Sequence, residues 1–328
     1  MIHADARRDA AERWLAALPL IAETPSARFS LESASEDASF RRYWRARLAA
    51  GGSYVVMDAP PEKEDCRPFV HVAGLLRAAG VNAPEIFAQD LSSGFLLLGD
   101  LGDTTYLQAI SAQNAPQLFS DATDALIRWQ LATRPGELPP YDEALLRREM
   151  NLFPEWYVAK HLRKKLQSDS LETIFALLVK SALAQPAVYV HRDYMPRNLM
   201  LCEPNPGVLD FQDAVLGPIT YDVVSLFRDA FVSWPEEQVL DWTVKYWEKA
   251  KRAKLPVHAD FGEFWQAFEW MGLQRHLKVL GIFARINYRD GKPKYLQDTP
   301  RFLTYARSVA KRYNALAPLG RLLDELKL

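Results

Sequence analysis

The chain has 328 residues, 49% of them hydrophobic and 25% charged, enough for one large core or for two lobes of ordinary domain size. A formal net charge of −1 excludes a dedicated nucleic-acid binder and gives no reason to seek an anionic membrane surface. Two cysteines, Cys66 and Cys202, in no CxxC spacing, and six histidines without an HExxH pattern exclude a disulfide framework and the common zinc motifs.

The opening MIHADARRDAAERWLAALPLIAE mixes acids and bases and lacks the apolar centre of a signal peptide. No apolar run approaches the ~18–20 residues that a membrane span needs. A cytoplasmic protein is the expectation. Short runs rich in β-branched and aromatic residues follow: RFSLESA (28–34), FRRYWRARL (40–48) and SYVVMDA (53–59), with Gly51-Gly52 as a hairpin turn. A helix is predicted over 67–79, ended by Gly80, and two further strands near 84–88 and 95–98. Beyond residue 105 apolar residues recur at three- and four-residue steps, as in Leu118, Ala122, Ala125, Trp129 and Ala132. Similar stripes run through 142–164, 170–184, 221–232, 236–253, 260–288 and 299–314. The basic run KHLRKK (160–165) reads as the solvated face of a helix. The expected architecture is α+β and two-lobed. Residues 1–104 form a small antiparallel-sheet lobe with one helix and a hinge; residues 105–328 form a larger, mostly helical lobe. An active site is expected in the cleft between them.

Inside the helical background, VYVHRDYMPRNLMLCEPNPGVLDF (188–211) carries three short β-like runs and four chemistry-bearing side chains. His191, Asp193 and Asn198 have the spacing H-R-D-x-x-x-x-N, and Asp210 follows with Phe211. Phosphoryl transfer from a nucleotide needs such a set. One carboxylate, Asp193, would orient the attacking hydroxyl and take its proton. Asn198 and Asp210 would hold Mg²⁺ on phosphate oxygens, because hard cations take oxygen ligands. His191 reads as a brace of the loop.

HRDYMPRNLM and VLDFQD resemble the catalytic loop and metal strand of the aminoglycoside phosphotransferase and kinase-like superfamily. The resemblance implies a protein-kinase-like fold over nearly the whole chain, and GPITYDVVSL (217–226) matches a segment common in its small-molecule kinases. There Asp222 would precede a helix beneath the catalytic loop. No APE motif follows and only about ten residues separate Asp210 from the next helix, so a small-molecule acceptor is favoured over a protein.

Two parts of the kinase pattern are missing. The loop ASEDASFRR (34–42) holds no glycine, so Ser35, Ala38 and Ser39 would have to admit the phosphates, and the third strand reads YVVMDA where a lysine is expected. Arg41, Arg42 or Arg45 could supply the missing positive charge. Leu98, Gly99 and Asp100 of LLLGDLGD would meet adenine. SEDASFRRYWR, VVMDAPPE, RREMNLFPEWY and QRHLKVLGIFARINYRDGK together look like the bacterial anomeric sugar kinases of cell-wall recycling. That resemblance implies ATP- and Mg²⁺-dependent phosphorylation of N-acetylmuramate and N-acetylglucosamine at C1. Glu149, Asn151 and Arg275 are the candidate contacts to the sugar. An aminoglycoside- or choline-type kinase and a nucleotide-binding pseudokinase remain as alternatives.

Overall fold

The computed structural model describes residues 5–23, 28–35, 40–166 and 168–328. Its contacts divide into two compact units, residues 1–109 with 199–213, and residues 110–198 with 214–328. The hairpin after the catalytic loop therefore packs with the N-terminal unit, whereas the sequence alone suggests one cut at 104/105.

The first unit is a five-stranded antiparallel sheet in the order β1-β2-β3-β5-β4. Its strands are β1 (Phe29–Ser35), β2 (Arg42–Leu48), β3 (Ser53–Asp58), β4 (Ile86–Asp90) and β5 (Phe95–Gly99). All five expected strands are present, within about two residues of their expected limits. Helix α3 (Arg67–Ala78) joins β3 to β4. The sequence reading assigned no helix to the N-terminus, yet α1 (Ala6–Ala17) and the short α2 (Pro19–Ala22) lie there. Asp5 caps α1, its carboxylate accepting from the Arg7 and Arg8 N–H groups. Ala11 and Leu15 bury against Trp44, Val56, Phe95 and Leu97 of the sheet. The apolar signal of α1 is small because only two of its residues are fully buried. Helix α4 (Tyr106–Ala109) closes this part of the chain.

The second unit contains α5 (Ala115–Leu131), α6 (Glu143–Met150), a π-helix over Phe153–His161, and α7 (Ser168–Leu183). Strand β6 (Ala187–Val190) leads into the catalytic loop, and β7 (Leu199–Met200) pairs with β8 (Gly207–Val208) in the first unit's hairpin. Strand β9 (Val215–Pro218) pairs antiparallel with β6. The remaining helices are α8 (Tyr221–Phe227), α9 (Glu236–Arg252), α10 (Phe261–Asp290), α11 (Thr299–Arg312) and α12 (Ala317–Glu325).

Helix α10 departs most from expectation. Its sequence suggests one apolar face, but it is buried without interruption from Ala267 to Gly281. A helix covered on all sides forms the centre of its unit, so its polar residues need internal partners. The KHLRKK stretch also differs: the π-helix ends at His161, and Arg163 takes a positive φ of 55° in the loop beyond.

Candidate active site

Strand β6 delivers the catalytic loop, and the loop is held from below. Asp222, in the first turn of α8, is fully buried. Its carboxylate accepts the backbone N–H of His191 at 2.7 Å and of Arg192 at 3.0 Å. It thus serves the loop rather than capping its own helix, whose N-cap is Thr220. Burial raises its pKa to about 7, the nearby Asp193 adds to this, and the two N–H groups and Arg275 oppose it. Arg192 sits at φ 75°, a left-handed conformation that a side-chain-bearing residue adopts only where its surroundings enforce it.

Within the loop, His191 Nδ1 accepts the Asp193 N–H at 3.2 Å, which puts the ring proton on Nε2. His191 is buried, its ring edge-on to Tyr194 at 5.5 Å. Asn198 Nδ2 donates to the Asp193 carbonyl at 2.9 Å, and the Asn198 N–H donates to the Met195 carbonyl at 2.8 Å. With its nitrogen turned to the backbone, Asn198 presents its oxygen as the atom a hard cation would take. Asp193 is half-exposed beside it in the chain. The structure therefore brings Asp193 and Asn198 together on one braced turn.

Glu149 of α6, a candidate sugar contact, is only 5% exposed. Its carboxylate accepts from the Tyr141 hydroxyl, the Arg192 guanidinium and Gln274 at 3.3 Å, and pairs with Lys278 Nζ at 2.9 Å. Burial alone would raise its pKa, but the Lys278 and Arg192 charges hold it down at about 2. Lys278 also donates to the Tyr221 hydroxyl at 3.0 Å. Burial would depress the Lys278 pKa, yet Glu149, Tyr221 and Asp193 keep it raised and charged. Glu149 thus anchors the arginine that precedes Asp193. Arg275 is buried, donates to the Arg228 carbonyl at 3.4 Å, and acts through its charge on Asp222 and Asp229. Asn151 is exposed at the end of α6. Sequence reading missed Lys278; the one available signal was its place as a second cation, three residues after Arg275, within a helix rich in apolar residues.

In the first unit, Asp210 takes φ 61°, and its Oδ1 accepts from Gln212 Nε2 at 2.9 Å. Phe211 is fully buried against Phe69, with ring centroids 4.7 Å apart. Arg41 lies in the field of Asp210. Burial would lower its pKa, but Tyr43, Asp210, Glu64 and Asp213 together keep it raised. The other arginines of this strand are committed elsewhere. Arg42 pairs with Asp58 at 2.8 Å and also with Asp5. Arg45 pairs with Asp100 at 2.7 Å and donates to the Gly102 carbonyl at 2.6 Å. Met57 and Asp58, either of which falls where the lysine is expected, are both fully buried, and Asp58 also receives Arg7 Nε at 2.9 Å. Leu98 is buried within β5, and the Gly99 N–H donates to the Glu85 carbonyl at 2.8 Å. Ala38, Ser39 and the Ser35 side chain lie outside the described residues.

Among the described residues no three His, Cys, Asp or Glu side chains cluster as a metal cage. The carboxamide of Asn198 and the carboxylate of Asp210 are each the kind of oxygen donor that Mg²⁺ takes, its coordination usually being completed by substrate phosphates and water. No helix among the described residues is long and apolar enough to cross a membrane.

A protein named N-acetylmuramate/N-acetylglucosamine kinase from Pseudomonas putida is 58% identical over 301 residues, covering 91% of this chain and 88% of that one. A protein of the same name from Neisseria meningitidis is 51% identical, covering 92% of each chain. Among solved structures, choline kinase from Cryptosporidium parvum superposes with TM-score 0.64 at 11% identity, over 96% of this chain and 99% of that one. A choline/ethanolamine kinase family protein from Mesorhizobium loti gives 0.61 at 15% identity, again over 96% and 99%. At such identities the structural likeness speaks for the kinase-like fold alone. The profile of the phosphotransferase enzyme family matches residues 30–261, well over half of the sequence. The chain belongs to the phosphotransferase enzyme family.

Proposed function

We propose that the protein transfers the γ-phosphoryl group of ATP to the anomeric hydroxyl of N-acetylmuramate and N-acetylglucosamine, giving the sugar 1-phosphate. The observation that carries this reading is the braced HRDYMPRN turn, combined with 58% identity to a kinase named for both sugars. In the reaction the anomeric oxygen forms a bond to phosphorus, the bond from phosphorus to the ADP oxygen breaks, and the hydroxyl proton passes to Asp193. A loose transition state asks little of the base, so Asp193 contributes chiefly by orienting the hydroxyl. Its backbone is held for that task through His191 and Asn198, and the residue before it through Asp222 and Glu149.

Asn198 and Asp210 are the oxygen donors proposed for Mg²⁺, which when bound would neutralise charge on the phosphate oxygens. Arg41 is proposed as the positive charge that replaces the strand-three lysine. Its place in the field of Asp210 supports this. A guanidinium can bind phosphate oxygens in pairs, so Arg41→Lys should not restore full activity to a series that begins with Arg41→Ala.

The direct test is ATP consumption with Mg²⁺ across a panel of amino sugars, aminoglycosides and choline. The proposal expects turnover with the two N-acetylated amino sugars. Turnover with aminoglycosides or choline, and none with the amino sugars, would replace it by another acceptor class.

A further inference from the structure

The two proposed acceptors differ in one group. N-acetylmuramate carries a lactyl ether that ends in a carboxylate; N-acetylglucosamine has a plain hydroxyl there. A cation placed near the acceptor would tell them apart by that charge. In the catalytic turn, residues 191 to 200 are all buried except Arg192, Asp193 and Arg197. The Arg192 guanidinium is bound by Glu149. Asp193 and Arg197 are therefore the two half-exposed side chains of the turn with no such anchor, four residues apart.

Among the described residues Arg197 has no carboxylate within ion-pair distance, whereas Arg192 of the same turn pairs with Glu149. Its one recorded contact is with Phe231, the guanidinium carbon lying 5.2 Å from the ring centroid. Phe231 is itself firmly placed. The Asp229 carboxylate accepts the N–H of Phe231 at 2.7 Å and of Val232 at 3.0 Å, and Arg301 donates to the Ala230 carbonyl. Behind Phe231 stand Phe283 and Tyr295, at centroid distances of 6.2 and 6.4 Å. The result is a guanidinium laid on a fixed aromatic ring and lacking a counter-ion, adjacent in the chain to Asn198. Stacking on an aromatic ring leaves the edge of the guanidinium open to a carboxylate.

We propose that Arg197 reads the lactyl carboxylate of N-acetylmuramate and so sets the preference between the two sugars. This rests on the amino-sugar kinase reading above. The test compares N-acetylmuramate with its lactyl carboxamide, in the wild type and in Arg197→Gln, as ratios of kcat/KM within each protein. Such a ratio is insensitive to the fraction of enzyme folded. A charge-assisted pair is expected to favour the acid over the amide by about tenfold or more in the wild type. In Arg197→Gln the ratio should fall to near unity, and Arg197→Lys should recover part of it. A wild type that does not discriminate acid from amide overturns the proposal without any variant. So does the same ratio in wild type and Arg197→Gln, and if KM for ATP then rises, the arginine serves the nucleotide phosphates instead. A wild type inactive on both sugars would instead sink the amino-sugar reading, which separates the two failures.

Discussion

In the proposed mechanism the chemistry turns on Asp193, and Asp193→Asn should lower kcat by about 10²–10⁴-fold, the usual worth of a positioned base. Nucleotide affinity measured by calorimetry should hardly change. Two buried carboxylates near it should respond to pH in opposite senses. Glu149 is lowered from 4.5 to about 2, so its contribution to stability is complete above about pH 4.5 and is lost as pH falls towards 2. The stability gap between wild type and Glu149→Gln should therefore narrow on acidification, by roughly 3 kcal/mol over the full range. Asp222 is raised from 3.8 to about 7, so the native state holds its proton more tightly than the unfolded chain. Its contribution is largest below about pH 4 and declines as pH rises towards 7. In denaturant melts across that window the stability of wild type relative to Asp222→Asn should fall as pH rises, and a rise would contradict the assignment. At this scale the motif was legible because Asp193, Asn198 and Asp210 stand at fixed spacings in one stretch of chain. The anchor Glu149–Arg192–Lys278 was not, because its members lie on three separate segments and only the fold brings them together.

Individual elements were legible where their periodicity faced a single core. The five strands were legible as short β-branched and aromatic runs and α3 as an apolar stripe, and their limits could be read from turn residues. Elements with no such face were read less well: α1, which buries only Ala11 and Leu15 fully, was missed, and α10 was placed at 260–288 but given one apolar face where every side is buried from Ala267 to Gly281. What fixes these two is specific contact rather than pattern, and each gives a prediction. A Cβ on Gly281 of α10 would overlap the Leu152 backbone at the entrance to the π-helix. Gly281→Ala should thus destabilise by about 1–3 kcal/mol despite the better helix propensity of alanine, read as a fall in thermal midpoint. For α1 the tie is Arg7, which with Arg42 neutralises the fully buried Asp58. Removing both arginines would strand that charge, at a cost of about 3–5 kcal/mol, whereas the single variants should each lose less. Asp58 thus explains why the third strand reads Met-Asp: its carboxylate is a structural anchor for α1 and β2, and the phosphate-facing charge must come from elsewhere.

For the whole molecule, the order of strands and helices and the kinase-like family were accessible from the sequence, because the sheet-rich beginning and helical remainder differ so plainly in period. The packing of residues 199–213 with the N-terminal unit was not, since β7 and β8 are two residues each and take their place through partners such as Asn82 and Thr104. The acceptor is the farthest from the sequence pattern, because sugar recognition depends on side chains drawn from several elements. The position of the transferred phosphate is therefore the measurement closest to the central claim. N-acetylglucosamine incubated with the enzyme, ATP and Mg²⁺ should yield a product whose phosphorus couples by NMR to the anomeric proton. Phosphorus coupled to the C6 protons, or to none of the sugar protons, would contradict it.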